Sequence, residues 1–151
     1  MKILSIYQIQ EKFFKKTFGK IISKIYNTSR NTQIVCQEKD IEKIDNILWT
    51  FDKLSFLPHH NFSDNMYINK NINSIVINKK HIQGYDSNIY MSYKYINSDS
   101  KKIYLIDAGF NKYNFLIKKL YKHSIKFFFQ NYNGVWSQKH HKNIDFKIQY
   151  K

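Results

Sequence analysis

Glycine, proline, cysteine and arginine are all scarce in this chain, and the scarcity of glycine and of cysteine each removes a class of function. Only four glycines occur, Gly19, Gly84, Gly109 and Gly134. None stands in the turn after the first strand, where a pyrophosphate needs close backbone approach, and no Walker-type lysine motif exists, so the usual phosphate cradles are excluded. The single cysteine, Cys36, forbids an intrachain disulfide and points to a reducing, cytosolic setting. It sits inside Gln33-Ile34-Val35-Cys36-Gln37, which predicts a buried small hydrophobe rather than a nucleophile. With no second cysteine and no HExxH spacing, a zinc site lacks ligands. The adjacent pairs His59-His60 and His140-His141 point neighbouring side chains to different faces, so surface or loop histidines are expected rather than metal ligands. No cofactor is implied. No apolar run approaches the roughly 20 residues of a membrane span, and Met1–Ile9 is too short and polar for a signal-peptide core, so a cytoplasmic protein without a membrane partner is expected.

Apolar residues make up 42% of the chain and aromatics 17%, which argues against disorder and for a packed core. At 151 residues one domain, 1–151, is expected. The formal charge of +14 predicts acidic partners, either phosphates or carboxylate-rich peptides. The lysines are spread along the sequence rather than gathered in one block, which weakens the nucleic-acid signal. Apart from Arg30 every fixed positive charge is a lysine, a point charge without arginine's bidentate fork.

Periodicity predicts a strand at Lys2–Ile9, then a helix carrying Phe14, Phe18, Ile21, Ile22 and Ile25. The polar cluster around Asn27–Asn31 ends it. A strand at Gln33–Gln37 follows, then a helix capped by Asp40 with Ile41, Ile44, Ile47 and Leu48. Strand–helix–strand–helix is the mark of a parallel α/β sheet. Residues 51–70 read as irregular, with further strands at Ser74–Ile77, Ile89–Tyr95 and Ile103–Asp107. A long last helix is expected from about Lys112 to Phe129, with Tyr113, Leu116, Ile117, Leu120, Tyr121 and Phe128 as its stripe. Ile144–Tyr150 alternates weakly. Asp107 closes a strand where α/β enzymes place catalytic groups, but no base or phosphate loop accompanies it, so no catalysis is expected.

Three segments carry a family resemblance. The first is Ile34–Glu38 with the helix into Asp45-Asn46-Ile47-Leu48-Trp49. The second, the most specific, is Trp49 followed by Ser55-Phe56-Leu57-Pro58-His59. The third is Lys118-Lys119-Leu120-Tyr121-Lys122 through Phe127-Phe128-Phe129. Together they resemble the chi subunit of bacterial DNA polymerase III holoenzyme. The resemblance implies a Rossmann-like three-layer α/β fold with a mainly parallel central sheet, no nucleotide chemistry, and a non-catalytic adaptor. Its implied partners are the psi subunit of the clamp loader and the acidic C-terminal tail of single-stranded DNA-binding protein, with a helicase-like repair protein at the psi surface.

Under that resemblance Trp49 and Phe56 match the psi-facing aromatics, with Phe51 between them as a third candidate. Lys118, Lys122 and Lys126 would line one helix face for the tail's carboxylates, and Ile125 and Phe129 would form the slot for its terminal Phe. Lys122 stands where relatives carry Arg, and Ile125 where they carry an aromatic. Losing the bidentate contact is expected to weaken tail binding by about 1 kcal/mol. The competing reading is direct binding of single-stranded nucleic acid by lysines and exposed aromatics such as Tyr132 and Trp136.

Overall fold

A computed structural model describes residues 2–54, 56–61, 74–107, 120 and 122–140. The first strand, β1 (Ile3–Gln8), alternates sides and buries Leu4 and Ile6 completely. A 3-10 turn at Glu11–Phe13 leads into α1 (Phe14–Thr28). Its apolar positions recur every three or four residues, so Phe18, Ile22 and Ile25 share one buried stripe. β2 (Thr32–Val35) is buried along its whole length, as a central parallel strand must be. Asp40 stands at the N-terminus of α2 (Ile41–Thr50), but its side chain makes no capping bond. The 3-10 turn Glu38–Asp40 has already brought its backbone close to helical angles, at φ −96° and ψ −9°. The capping expected of Asp40 is therefore not observed.

β3 (His59–Asn61), β4 (Ile75–Asn78), β5 (Ser87–Tyr90) and β6 (Lys102–Asp107) follow, and Tyr93–Tyr95 forms a 3-10 turn where the strand expected at Ile89–Tyr95 would have continued. β7 (Ser124–Gln130) and β8 (Trp136–His140) complete the described chain. The strand order is β3-β4-β2-β5-β6-β1-β7-β8, with every pairing parallel except the antiparallel β7–β8. The architecture is α/β with a mainly parallel sheet, consistent with a Rossmann-like fold.

Both helices pack on one face of this sheet, where Phe18, Ile22, Ile44 and Leu48 meet Ile34, Ile75, Ile77 and Ile89. On the other face Val35, Tyr90, Leu105, Ile125 and Phe127 meet Ile96 and Leu120, with Tyr93 and Tyr95 against them. That face also holds a polar knot: the Gln33 amide donates to Asn88 Oδ1 (2.7 Å) and the Ile82 carbonyl (2.8 Å), and accepts from Asn78 Nδ2 (2.8 Å).

The last helix is a correction. The segment from Ser124 to Gln130 is strand β7, in parallel register with β1 from Ile3↔Ser124 to Gln8↔Phe129. Three consecutive phenylalanines and an isoleucine fit a strand open to packing on both faces, whereas a helix would need one apolar stripe. Residues 112–119 and the tail 144–150 lie outside the described residues. Asn133-Gly134 then makes the hairpin turn to β8, with Gly134 at φ +81°, a conformation that glycine adopts without a Cβ penalty.

Gly19 decides how closely α1 and α2 approach, because a Cβ there would run into the Phe51 ring. Gly19→Ala should therefore destabilise the fold although alanine is the better helix former, overpacking costing about 1–3 kcal/mol against a propensity gain of about 1. Chemical denaturation of Gly19→Ala should show the loss, and Gly19→Ala in a Phe51→Ala background should show little further loss.

Candidate functional site

Trp49 lies in the last turn of α2, one residue beyond the buried Leu48, so the 100° step per residue swings its ring out of the core. It is 54% exposed. After it the chain turns through a loop tied at several points. Asp52 Oδ1 accepts from the Leu54 amide (3.0 Å), Leu57 is inserted in the core at 4% exposure, and the Pro58 carbonyl accepts from Ile75 N (2.8 Å). Between these ties Leu54 and Phe56 stand outward, 96% and 62% exposed. The Trp49 and Phe56 ring centres are 5.2 Å apart. Trp49 from the last turn of α2, and Leu54 and Phe56 from a loop tied at both ends, thus project outward.

His59 is the hidden support of this patch. Its ring lies edge-on to Trp49 at 5.0 Å, its Nδ1 lies 2.6 Å from the Leu57 carbonyl, and its Nε2 lies 3.2 Å from Asp45 Oδ1. The carbonyl beside Nδ1 requires the proton there. Nε2 is buried without an aligned hydrogen bond, so the Asp45 contact is one of proximity that becomes an ion pair only when the ring is protonated. The surface or loop histidine expected at position 59 is corrected: its side chain is wholly buried, in a strand. His60 Nδ1 meets Ser74 Oγ at 2.7 Å, and burial, with His59 nearby, lowers its pKa.

Phe51 does not join the patch. It is partly buried against the helix-side core, over Gly19. Its placement follows from helix period, since it lies three residues beyond Leu48 on the buried stripe.

The expected lysine row is broken by β7. Lys118 lies outside the described residues, and Lys122 is exposed in the turn before β7. Within a strand, side chains alternate, so Ile125 and Phe129 face one side and Lys126 the other. Ile125 is buried at 6% and Phe129 packs on the same second core, so the slot expected from them is already filled by the protein's own interior. The four-residue spacing that would align Lys122 with Lys126 on a helix has no such meaning in a strand.

Other reactive groups are held by the fold. Cys36 is fully buried, and burial, with the Asp40 carboxylate adding to it, pushes its thiol up to about 12. His81 Nδ1 lies 2.8 Å from the Tyr90 hydroxyl within the polar knot, and burial lowers its pKa. His123 Nε2 lies 2.9 Å from the Ser100 carbonyl. Among the described residues no three His, Cys, Asp or Glu side chains group to hold a metal, and no helix is long and apolar enough to cross a membrane.

A family model described as DNA polymerase III chi subunit, HolC, matches residues 1–101. The chain belongs to the DNA polymerase III chi subunit family. Chi is an accessory subunit of a replication holoenzyme, so its partners lie within that complex. The matched span includes Trp49, Phe56 and the sheet through β5, while β6, apart from its connection, and the β7–β8 ribbon lie beyond it. Neither a comparison with curated proteins nor one with solved structures returned a match.

What the sequence reading missed at this site is Leu54 and the Asp45–His59 pair. The Ser-Phe-x-Pro-His string held the signal for His59: a histidine directly after a proline-stiffened turn, with a carboxylate on the preceding helix four residues before Trp49.

Proposed function

We propose that this chi chain is a non-catalytic adaptor that docks the psi subunit through Trp49, Phe56 and Leu54. The observation that carries the reading is the pair of rings standing 5.2 Å apart and more than half exposed, one in the last turn of α2 and the other on the loop anchored by Leu57, Pro58 and His59. Large aromatics held rigidly at the centre of an apolar patch lose little conformational freedom on binding, and such residues dominate interface energies. Phe51 supports this surface from beneath rather than touching a partner. A helicase-like repair protein using the same apolar handhold would compete with psi.

The second partner in this reading is the acidic C-terminal tail of single-stranded DNA-binding protein, held by the ammonium groups of Lys118, Lys122 and Lys126. Lysine supplies charge without a fork, so recognition of the tail's carboxylates is weaker and more salt-sensitive than with arginine. Ile125 and Phe129 lie on the opposite side of β7 from Lys126 and are packed in the interior, so a slot for the tail's terminal Phe would have to come from other residues. Titrating the full chain with a tail peptide tests the contact. Binding should vanish with Lys122→Glu and fall sharply when the peptide loses its terminal Phe. Equal binding of intact and truncated peptides would leave only general charge attraction and overturn the tail reading.

A further inference from the structure

The acidic residues are distributed far less evenly than the lysines. Between Glu11 and Glu38 the sequence contains no Asp or Glu, and between Asp107 and Asp145 there is again none. The described parts of these two acid-free stretches, α1 and the β7–β8 ribbon, are neighbours in the fold. Gln130 of β7 donates from Nε2 to Thr17 Oγ1 of α1 (3.3 Å), and its Oε1 accepts from the Gln10 amide (3.1 Å). At the hairpin turn Gly134 lies against the ring of Phe13.

Helical period places Lys16, Lys20 and Lys24 in one column on the exposed side of α1, in steps of about 6 Å. That column leans toward Thr17, which meets the ribbon, and away from Gly19, which meets α2. None of the three lysines forms an ion pair among the described residues. On the ribbon, Trp136 is 39% exposed with its ring edge-on to Tyr7 at 6.2 Å, and Tyr132 at the turn is 77% exposed. Phe128 stacks on Tyr7 at 4.7 Å, so this is the helix-side face of the ribbon. A column of ammonium groups on the helix that the ribbon meets at Thr17, exposed flat rings on the ribbon, and no Asp or Glu within either element match a strand whose phosphates repeat along one edge and whose bases are free to stack.

We propose that the joint surface of α1 and the β7–β8 ribbon binds single-stranded nucleic acid directly, with phosphates along Lys16, Lys20 and Lys24 and bases against Trp136 and Tyr132. Charge attraction supplies the sequence-independent part and ring stacking the preference for unpaired bases. The surface is separate from the Trp49 patch, and the inference does not depend on the psi reading.

The test uses the full chain carrying Trp49→Phe, which leaves Trp136 as the only tryptophan, and an oligothymidine of about 12 nucleotides. The oligonucleotide should quench Trp136 emission at low salt. Lys16→Gln, Lys20→Gln and Lys24→Gln together should flatten the slope of log affinity against log salt by about two, from three lost phosphate contacts on a single strand. Trp136→Ala, followed by anisotropy of a labelled oligonucleotide, should weaken binding roughly tenfold. A charge-matched control, Lys80→Gln with Lys94→Gln and Lys101→Gln, should change the slope much less. The proposal is overturned if the control flattens the slope equally, or if Trp136 ignores the oligonucleotide. It is equally overturned if an Asp/Glu-rich peptide quenches Trp136 while the oligonucleotide does not, since the surface would then be a peptide site.

Discussion

Changing Trp49 and Phe56 together to Ala is expected to abolish copurification of psi while leaving far-ultraviolet circular dichroism and the melting temperature nearly unchanged. The two halves of that expectation come from one fact. In the isolated chain both rings are more than half exposed, at 54% and 62%, so folding gains little from them. Truncating exposed side chains away from special features usually shifts stability by no more than about 0.5 kcal/mol. On docking, the same rings would pass from water into a closed apolar contact. Central aromatic anchors are commonly worth about 2 kcal/mol or more each, so losing both should weaken psi binding by a hundredfold or more.

Phe51→Ala supplies the contrast. Its ring packs over Gly19 between the helices, so its removal should lower stability first and affect psi only through the loosened α2. A folded Trp49→Ala/Phe56→Ala chain that still retains psi at the wild-type level would sink the docking assignment. The buried His59 ring, rather than its contact with Asp45, is what holds the handhold in place. A histidine ring wedged under Trp49 and bonded at Nδ1 to the Leu57 carbonyl fixes both the helix end and the loop that carries Phe56.

The first half of the chain was legible because each element there obeys a single period. Phe18, Ile22 and Ile25 repeat at helical spacing and Ile34-Val35 is a short β-branched run, so α1, β2 and α2 could be read within a few residues of their observed ends. The Trp49–Phe56 pair was legible through its motif rather than through its pattern, since an aromatic in so aromatic a sequence says nothing of its own exposure. The second half failed where lysines four apart imitated a helix face. Lys118, Lys122 and Lys126 gave a helical period to a segment whose apolar residues, Ile125 and Phe127 to Phe129, had none. Asn133-Gly134, four residues beyond Phe129, was the stronger signal, because Asn-Gly between apolar segments marks a hairpin connection. Weighting charge spacing above turn chemistry extended a helix across Ser124–Phe129, which form strand β7. Strand β3 escaped notice for another reason: at three residues, two of them histidines, it has no pattern of its own and exists because β4 offers it a pairing edge.

Gln33→Met is expected to lower the unfolding free energy by about 3–5 kcal/mol, although methionine has nearly the same length and a better transfer energy. Gln33 is fully buried at the centre of β2, and both ends of its amide are used. Its nitrogen serves Asn88 Oδ1 and the Ile82 carbonyl, and its oxygen serves Asn78 Nδ2 and, at 3.2 Å, the Ile82 amide. Asn78 and Asn88 are 1% and 2% exposed, so water cannot replace what the amide gave them. Each buried polar atom stranded in this way costs about 1–3 kcal/mol, and the thioether satisfies none of them. For a chain of this length that corresponds to a fall in melting temperature of roughly 10 °C. The loss should also be shared: Asn78→Ala should cost less in the Gln33→Met background than alone, because its main acceptor is already gone, with a coupling of about 0.5–3 kcal/mol. Additive effects, or a shift of only a degree or two, would mean that the knot is not cooperative and that β2 is held in the sheet by its apolar neighbours Ile34 and Val35 alone. The knot ties β2 to β4, to β5 and to Ile82 at once, across the middle of the sheet whose helix side positions Trp49. Loosening it should therefore reach the docking loop through β4, to which the Pro58 carbonyl is bonded, and psi binding should weaken in Gln33→Met in proportion to the lost stability rather than disappear outright.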